Sequence, residues 1–156
     1  GSEDRTPLFG LNDFVLAGSP GPRMVEYTID VNGCLFNRCM SDGIIVATPT
    51  GSTAYSLSAG GPIVDPALDS IILNSICPHA LTVRPTLIPA EAEVSVSSRE
   101  KEVTLTADGQ HQVRVLPKIP VIIRRAETPV RFISFGNSSF YDRLREKLQW
   151  GGLPSK

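Results

Sequence analysis

The chain has 156 residues, enough for one domain with its own hydrophobic core and no dependence on disulfides. Its 15 basic and 16 acidic residues leave a net charge of -1, which argues against the basic field that nucleic acid or an anionic membrane surface would require. Three cysteines, Cys34, Cys39 and Cys77, form no CxxC pair and have no metal-spaced histidines, so reduced thiols in the cytoplasm are expected and a zinc site is not.

No stretch approaches the roughly 20 apolar residues of a spanning helix, and no basic segment followed by an apolar run opens the chain. Gly1-Ser2 reads as the scar of a removed tag, so residues 1–10 are expected to be scar and linker from an earlier part of a longer parent chain. Residues 11–150 then make one domain with a terminal helix, and residues 151–156 a tail.

In chain order, the apolar run Phe14-Val15-Leu16 predicts a strand ending in the turn-rich segment Gly18-Ser19-Pro20-Gly21-Pro22. Val25 to Val31 alternates with period two and meets Asn32-Gly33, the dipeptide suited to a type I′ turn, before Cys34-Leu35-Phe36, which predicts a hairpin. Gly43 to Ala47 reads as a buried strand, and Ser52 to Ala59 has small and apolar residues at helical spacing. Ala67 to Leu73, Leu87 to Pro89 and Glu93 to Ser97 give further short strands. Glu102 to Thr106 and Gln112 to Val115 flank an Asp108-Gly109 turn and predict a second hairpin. Val121-Ile122-Ile123 and Val130 to Phe135 complete the strands, and Tyr141 to Trp150 has the charge and leucine pattern of a surface helix. The fold class is therefore mainly β, a sandwich-like packing of short strands with a few helices, and no internal repeat is present.

The richest chemistry lies in residues 42 to 55, where a strand turns into a helix. Unpaired backbone N–H groups at a helix start favour anionic or hydroxyl ligands, Gly51 permits close approach to the backbone, and Thr50, Ser52 and Thr53 offer hydroxyls. Tyr55 adds a flat face and a phenol. On spacing alone, an ordinary cap at Thr50 or Ser52 and an ordinary turn at Gly51 describe the same residues at least as well. The segment lacks the lysine of a Walker A loop and is not GxSxG.

The run Thr48-Pro49-Thr50-Gly51-Ser52-Thr53-Ala54-Tyr55, preceded by Asp42-Gly43, resembles the signature segment of NAD kinases. Asn12-Asp13 resembles that family's earlier Asn-Glu pair, Ile76-Cys77-Pro78-His79 its Ile-Cys-Pro-His segment, and Arg84-Pro85, Asp108-Gly109 and the final helix ending in Trp150 also fit. The resemblance runs from about Leu11 to Trp150, with two departures: Ser41 stands where glycine is usual, and Asp13 where glutamate is usual.

The resemblance implies an NAD-kinase-type carboxyl-terminal β domain that binds NAD, while an amino-terminal α/β domain brings ATP and the catalytic aspartate on a Gly-Gly-Asp-Gly loop that this sequence does not contain. The reaction would move the γ-phosphate of ATP to the 2′-hydroxyl of the adenosine ribose to give NADP, with a divalent metal such as magnesium bound through nucleotide phosphates. Carried over by position, Asn12 and Asp13 would hold the acceptor ribose, and Thr53, Ala54 and Tyr55 would contact the base and amide ends. Asp42 would reach a neighbouring subunit's site in a homo-oligomer. Cys77 and His79 would line the adenine pocket, without acting as a catalytic pair. His111 is expected to be an ordinary exposed hairpin histidine. No catalytic residue is expected within these 156 residues. A lipid kinase of the same superfamily and a non-catalytic dinucleotide-binding or oligomerising module are the competing readings.

Overall fold

The computed structural model describes residues 7–18, 24–133 and 138–150. The scar expected at Gly1-Ser2, the turn predicted at Ser19-Pro20-Gly21-Pro22 and the expected tail at 151–156 lie outside them. Among the described residues, ten strands run in the order β1 Asp13–Gly18, β2 Val25–Val31, β3 Cys34–Ser41, β4 Gly43–Ala47, β5 Ser70–Ile76, β6 Thr86–Pro89, β7 Val94–Ser98, β8 Val103–Ala107, β9 His111–Val115 and β10 Val121–Ile123. A 3-10 turn at Thr50–Thr53 and the single-turn helix α1, Tyr55–Ser58, follow β4, and α2 spans Phe140–Leu148.

All strand pairings are antiparallel, in a six-stranded sheet ordered β6-β5-β4-β1-β8-β9 and a four-stranded sheet ordered β10-β7-β2-β3. The fold is the mainly β, two-sheet packing that the strand pattern predicts. Asn32 and Gly33 (φ 52° and 74°) and Asp108 and Gly109 (φ 47° and 69°) take the positive φ that a type I′ turn demands, so both predicted hairpins form.

Period-two alternation places Leu16, Ile44, Leu73 and Leu105 of the larger sheet against Tyr27, Ile29, Val94 and Val96 of the smaller one in one core. Tyr27 is fully buried, and its hydroxyl donates to the Leu16 carbonyl across the two sheets at 3.2 Å. The opposite face of the larger sheet carries a second cluster, Val15, Ile45, Ala47, Val64 and Ile72. With both faces covered, every residue of β4 is buried, which is why Gly43 to Ala47 reads as a continuous apolar run.

The chain departs from the pattern in three places. The predicted helix Ser52–Ala59 is two short pieces, broken at Ala54 (φ -99°, ψ -131°). The apolar run after Ala67 becomes strand only from Ser70, because the Asp65 carboxylate accepts from the Ala67 N–H at 2.9 Å and turns the chain first. Residues 130–133 form no strand, and Val130, Phe132 and Ile133 are exposed; residues 134 and 135 of that predicted strand lie outside the described residues.

Candidate functional site

The site is built where the start of β1 meets the end of β4 and the β8–β9 turn. The Leu11 and Asn12 N–H groups each donate to the Asp108 carboxylate at 2.7 Å, and that of Asp13 does so at 3.0 Å. On the other side of the same segment, the Thr48 N–H donates to the Asn12 carbonyl at 2.9 Å and the Thr48 hydroxyl to the Leu11 carbonyl at 2.7 Å. The Thr48 hydroxyl also accepts from the Gly51 N–H at 3.1 Å. A Cβ at Gly51 would stand 2.0 Å from the Asn12 carbonyl oxygen, so only glycine fits. The approach the sequence suggested for a ligand is thus made by the protein's own main chain.

Asp13 is buried at 6% exposure. Burial, and then the Asp108 charge, push its carboxyl above the usual carboxylate range, while a hydrogen bond from the Tyr55 N–H pulls the other way. For Asp108, burial also acts upward, but the N–H groups of Leu11, Asp13 and Asn12, helped by His111, outweigh it and hold the carboxyl below its ordinary value. Two neighbouring carboxyls are therefore driven in opposite directions.

A cleft of about 350 Å³ opens over these groups. The predicted residues Asn12, Asp13, Ala54 and Tyr55 line it, joined by Val15, Thr106, Asp108 and Gly109, none of which the sequence singled out as a ligand contact. Tyr55 is half-exposed at its rim. An amide, carboxylates and a phenol around an apolar floor suit a sugar hydroxyl with a planar ring beside it.

The other predicted residues lie elsewhere. Ser52 is fully buried, its hydroxyl donating to the Val64 carbonyl and accepting the Val64 N–H at 3.3 and 3.1 Å. Neither Thr50 nor Ser52 caps the turn, whose cap position is Pro49 with no side-chain bond. Thr53 presents its carbonyl and hydroxyl to the Lys147 ammonium of α2 at 3.1 and 3.4 Å. Asp42, Cys77 and His79 sit at the opposite end of the strands. Asp13 pairs with Ala47 while Ala17 pairs with Gly43, so roughly 14 Å of strand separates the two ends. There the Asp42 N–H donates to the Ile76 carbonyl and the His79 N–H to the Met40 carbonyl, both at 2.9 Å, and Cys77 and His79 are exposed. Among the described residues, no group of three or more His, Cys, Asp or Glu is placed to hold a metal ion.

The family model for the ATP-NAD kinase C-terminal domain matches residues 11–135. The chain belongs to the NAD kinase family. The NAD kinase of Magnetococcus marinus is 44% identical over 142 residues, covering 90% of this chain and 47% of that protein. The crystal structure of yeast NADH kinase complexed with NADH superposes with a TM-score of 0.79 at 28% identity, covering 94% of this chain and 46% of that one. An NAD kinase from Archaeoglobus fulgidus in complex with ATP gives a TM-score of 0.63 at 30% identity, with 76% and 49% covered. The chain thus spans about half the length of the NAD kinases it matches. Ser41, where the resemblance leads one to expect glycine, is fully buried and its hydroxyl donates to the Gly43 carbonyl at 3.1 Å, so its side chain is satisfied locally.

Proposed function

We propose that this chain is the acceptor half of an ATP-dependent NAD kinase and that its cleft holds the adenosine ribose of NAD. The observation that carries this reading is the convergence of Asn12, Asp13, Ala54 and Tyr55, contributed by two separate family motifs, on one cleft. The Asp13 carboxylate accepts from a ribose hydroxyl, the Asn12 amide fixes the sugar's orientation, and Tyr55 packs its ring on the base. In the transfer, the 2′-hydroxyl loses its proton to a base and its oxygen bonds to the γ-phosphorus. The bond from that phosphorus to the β,γ-bridging oxygen breaks and ADP leaves. ATP, its magnesium and the base come from the Gly-Gly-Asp-Gly half of the parent enzyme.

The parent works as a homo-oligomer in the cytoplasm, where the free cysteines stay reduced. Asp42, at the far end of the strands, is suited to reach a neighbouring subunit's dinucleotide, whereas Cys77 and His79, at that same end, do not line this cleft. The test is titration calorimetry of the chain with NAD and NADP, beside Asp13→Ala and Tyr55→Ala. We expect specific binding in the wild type, weakened about tenfold in each variant, and no NADP from NAD and ATP. Unchanged affinity in both folded variants, or turnover by the chain alone, rules the reading out.

A further inference from the structure

Leu11 and Asn12 precede β1 and lie beyond the last β1–β8 pair, Phe14 with Ala107, so the β8 ladder offers their N–H groups no partner. The Asp108 carboxylate takes both, and the Asp13 N–H as well, while the Asp108 N–H returns a bond to the Asp13 carbonyl at 3.0 Å. Three successive main-chain donors turned toward one anion make a nest, here filled from within the protein. A carboxylate has about four acceptor sites, and three are used, so Asp108 has little left to offer a ligand although it borders the cleft.

We infer that Asp108 is a positioning residue for the acceptor: its carboxylate clasps the amides of Leu11, Asn12 and Asp13 and so aims the Asn12 amide and the Asp13 carboxylate into the cleft. This rests on the reading of the cleft as an acceptor-ribose site. The mechanism is electrostatic. Three converging N–H dipoles repel one another unless a negative charge sits between them. Thr48 and the Asp108 N–H hold the carbonyl side of the segment, so without the carboxylate its amide side is left unheld and the aim of both side chains loosens.

Asp108→Asn and Asp108→Gly both suit φ 47°, so the turn survives in each, while the first removes the charge and the second the whole side chain. Amide exchange at Leu11, Asn12 and Asp13, read by nuclear magnetic resonance without ligand, is compared with NAD affinity from calorimetry. We expect exchange at these three amides to rise and NAD binding to fall by about tenfold or more in both variants, with the amides of Leu16 and Ile45 unchanged. Unaltered exchange at the three amides overturns the clasp, and so does faster exchange with NAD affinity retained. If the wild-type chain binds no NAD, the acceptor-site reading fails by itself. The ligand-free amides of Asp108→Asn then decide the clasp, upheld by accelerated exchange and overturned by exchange like the wild type.

Discussion

Asp13 and Asp108 show how one cleft can shift neighbouring carboxyls in opposite directions. Asp13 has a folded-state pKa above its ordinary 3.8, so its stability contribution is intact below that value and is lost as pH rises through the folded pKa. Asp108, shifted downward from 3.8, contributes stability above that value and loses it as pH falls through its lower folded pKa. Asp13→Asn is therefore expected to melt at or above the wild-type temperature at neutral pH, and to lose that advantage in acid, because the asparagine oxygen can still accept the Tyr55 N–H. Melts across an acid-to-neutral series check this, and a variant clearly less stable at neutral pH refutes it. Asn12, Asp13 and Tyr55 were legible from their motifs as candidates, and the fold brings them to one cleft. The roles of Thr48 and Asp108 were not, since both act by bonding to a distant backbone segment, and neither a threonine before proline nor an aspartate before glycine announces that partner.

At the scale of elements, the signature segment is held by the sheet beneath it more than by its own helicity. One-turn helices are not self-supporting, and α1 is anchored by Asn74 of β5, whose side-chain amide donates to the Ser56 carbonyl, the Ser56 hydroxyl and the Ala59 carbonyl at 3.1, 3.4 and 3.4 Å. Gly61 approaches so closely that a Cβ there would lie 2.3 Å from the Ser56 hydroxyl. Asn74→Ala should cost ~1–3 kcal/mol, since it strips partners from buried groups, and should loosen Tyr55 with α1. Urea unfolding monitored by circular dichroism measures the cost, and a midpoint equal to the wild type contradicts the anchoring role. The helical spacing of residues 52 to 59 was a fair local signal, but the bonds to Asn74 and Val64 hold the segment as two turns. Residues 130 to 135 err the other way. Their strand-like composition finds no neighbouring strand among the described residues 130–133, and a strand exists only when its backbone groups are paired.

For the whole molecule, the edge strands matter most. β3 closes one edge of the four-stranded sheet and exposes Leu35, Phe36 and Met40, a surface that invites cover. The proposed self-association is checked by sedimentation equilibrium, where a dimer or larger species is expected and a monomer at high concentration excludes it. The sequence by itself determined most of the strands and both hairpins, because side-chain alternation and the Asn-Gly and Asp-Gly turns act within a few residues of chain. It also determined the family, through an eight-residue signature and its companions. Only the tertiary structure decided that β1 lies between β4 and β8, which brings Asp108 to Asn12 across 96 positions of sequence and leaves Cys77 and His79 at the far end. Strand order follows from burying both faces of the larger sheet at once, a condition on the whole chain that no local pattern carries.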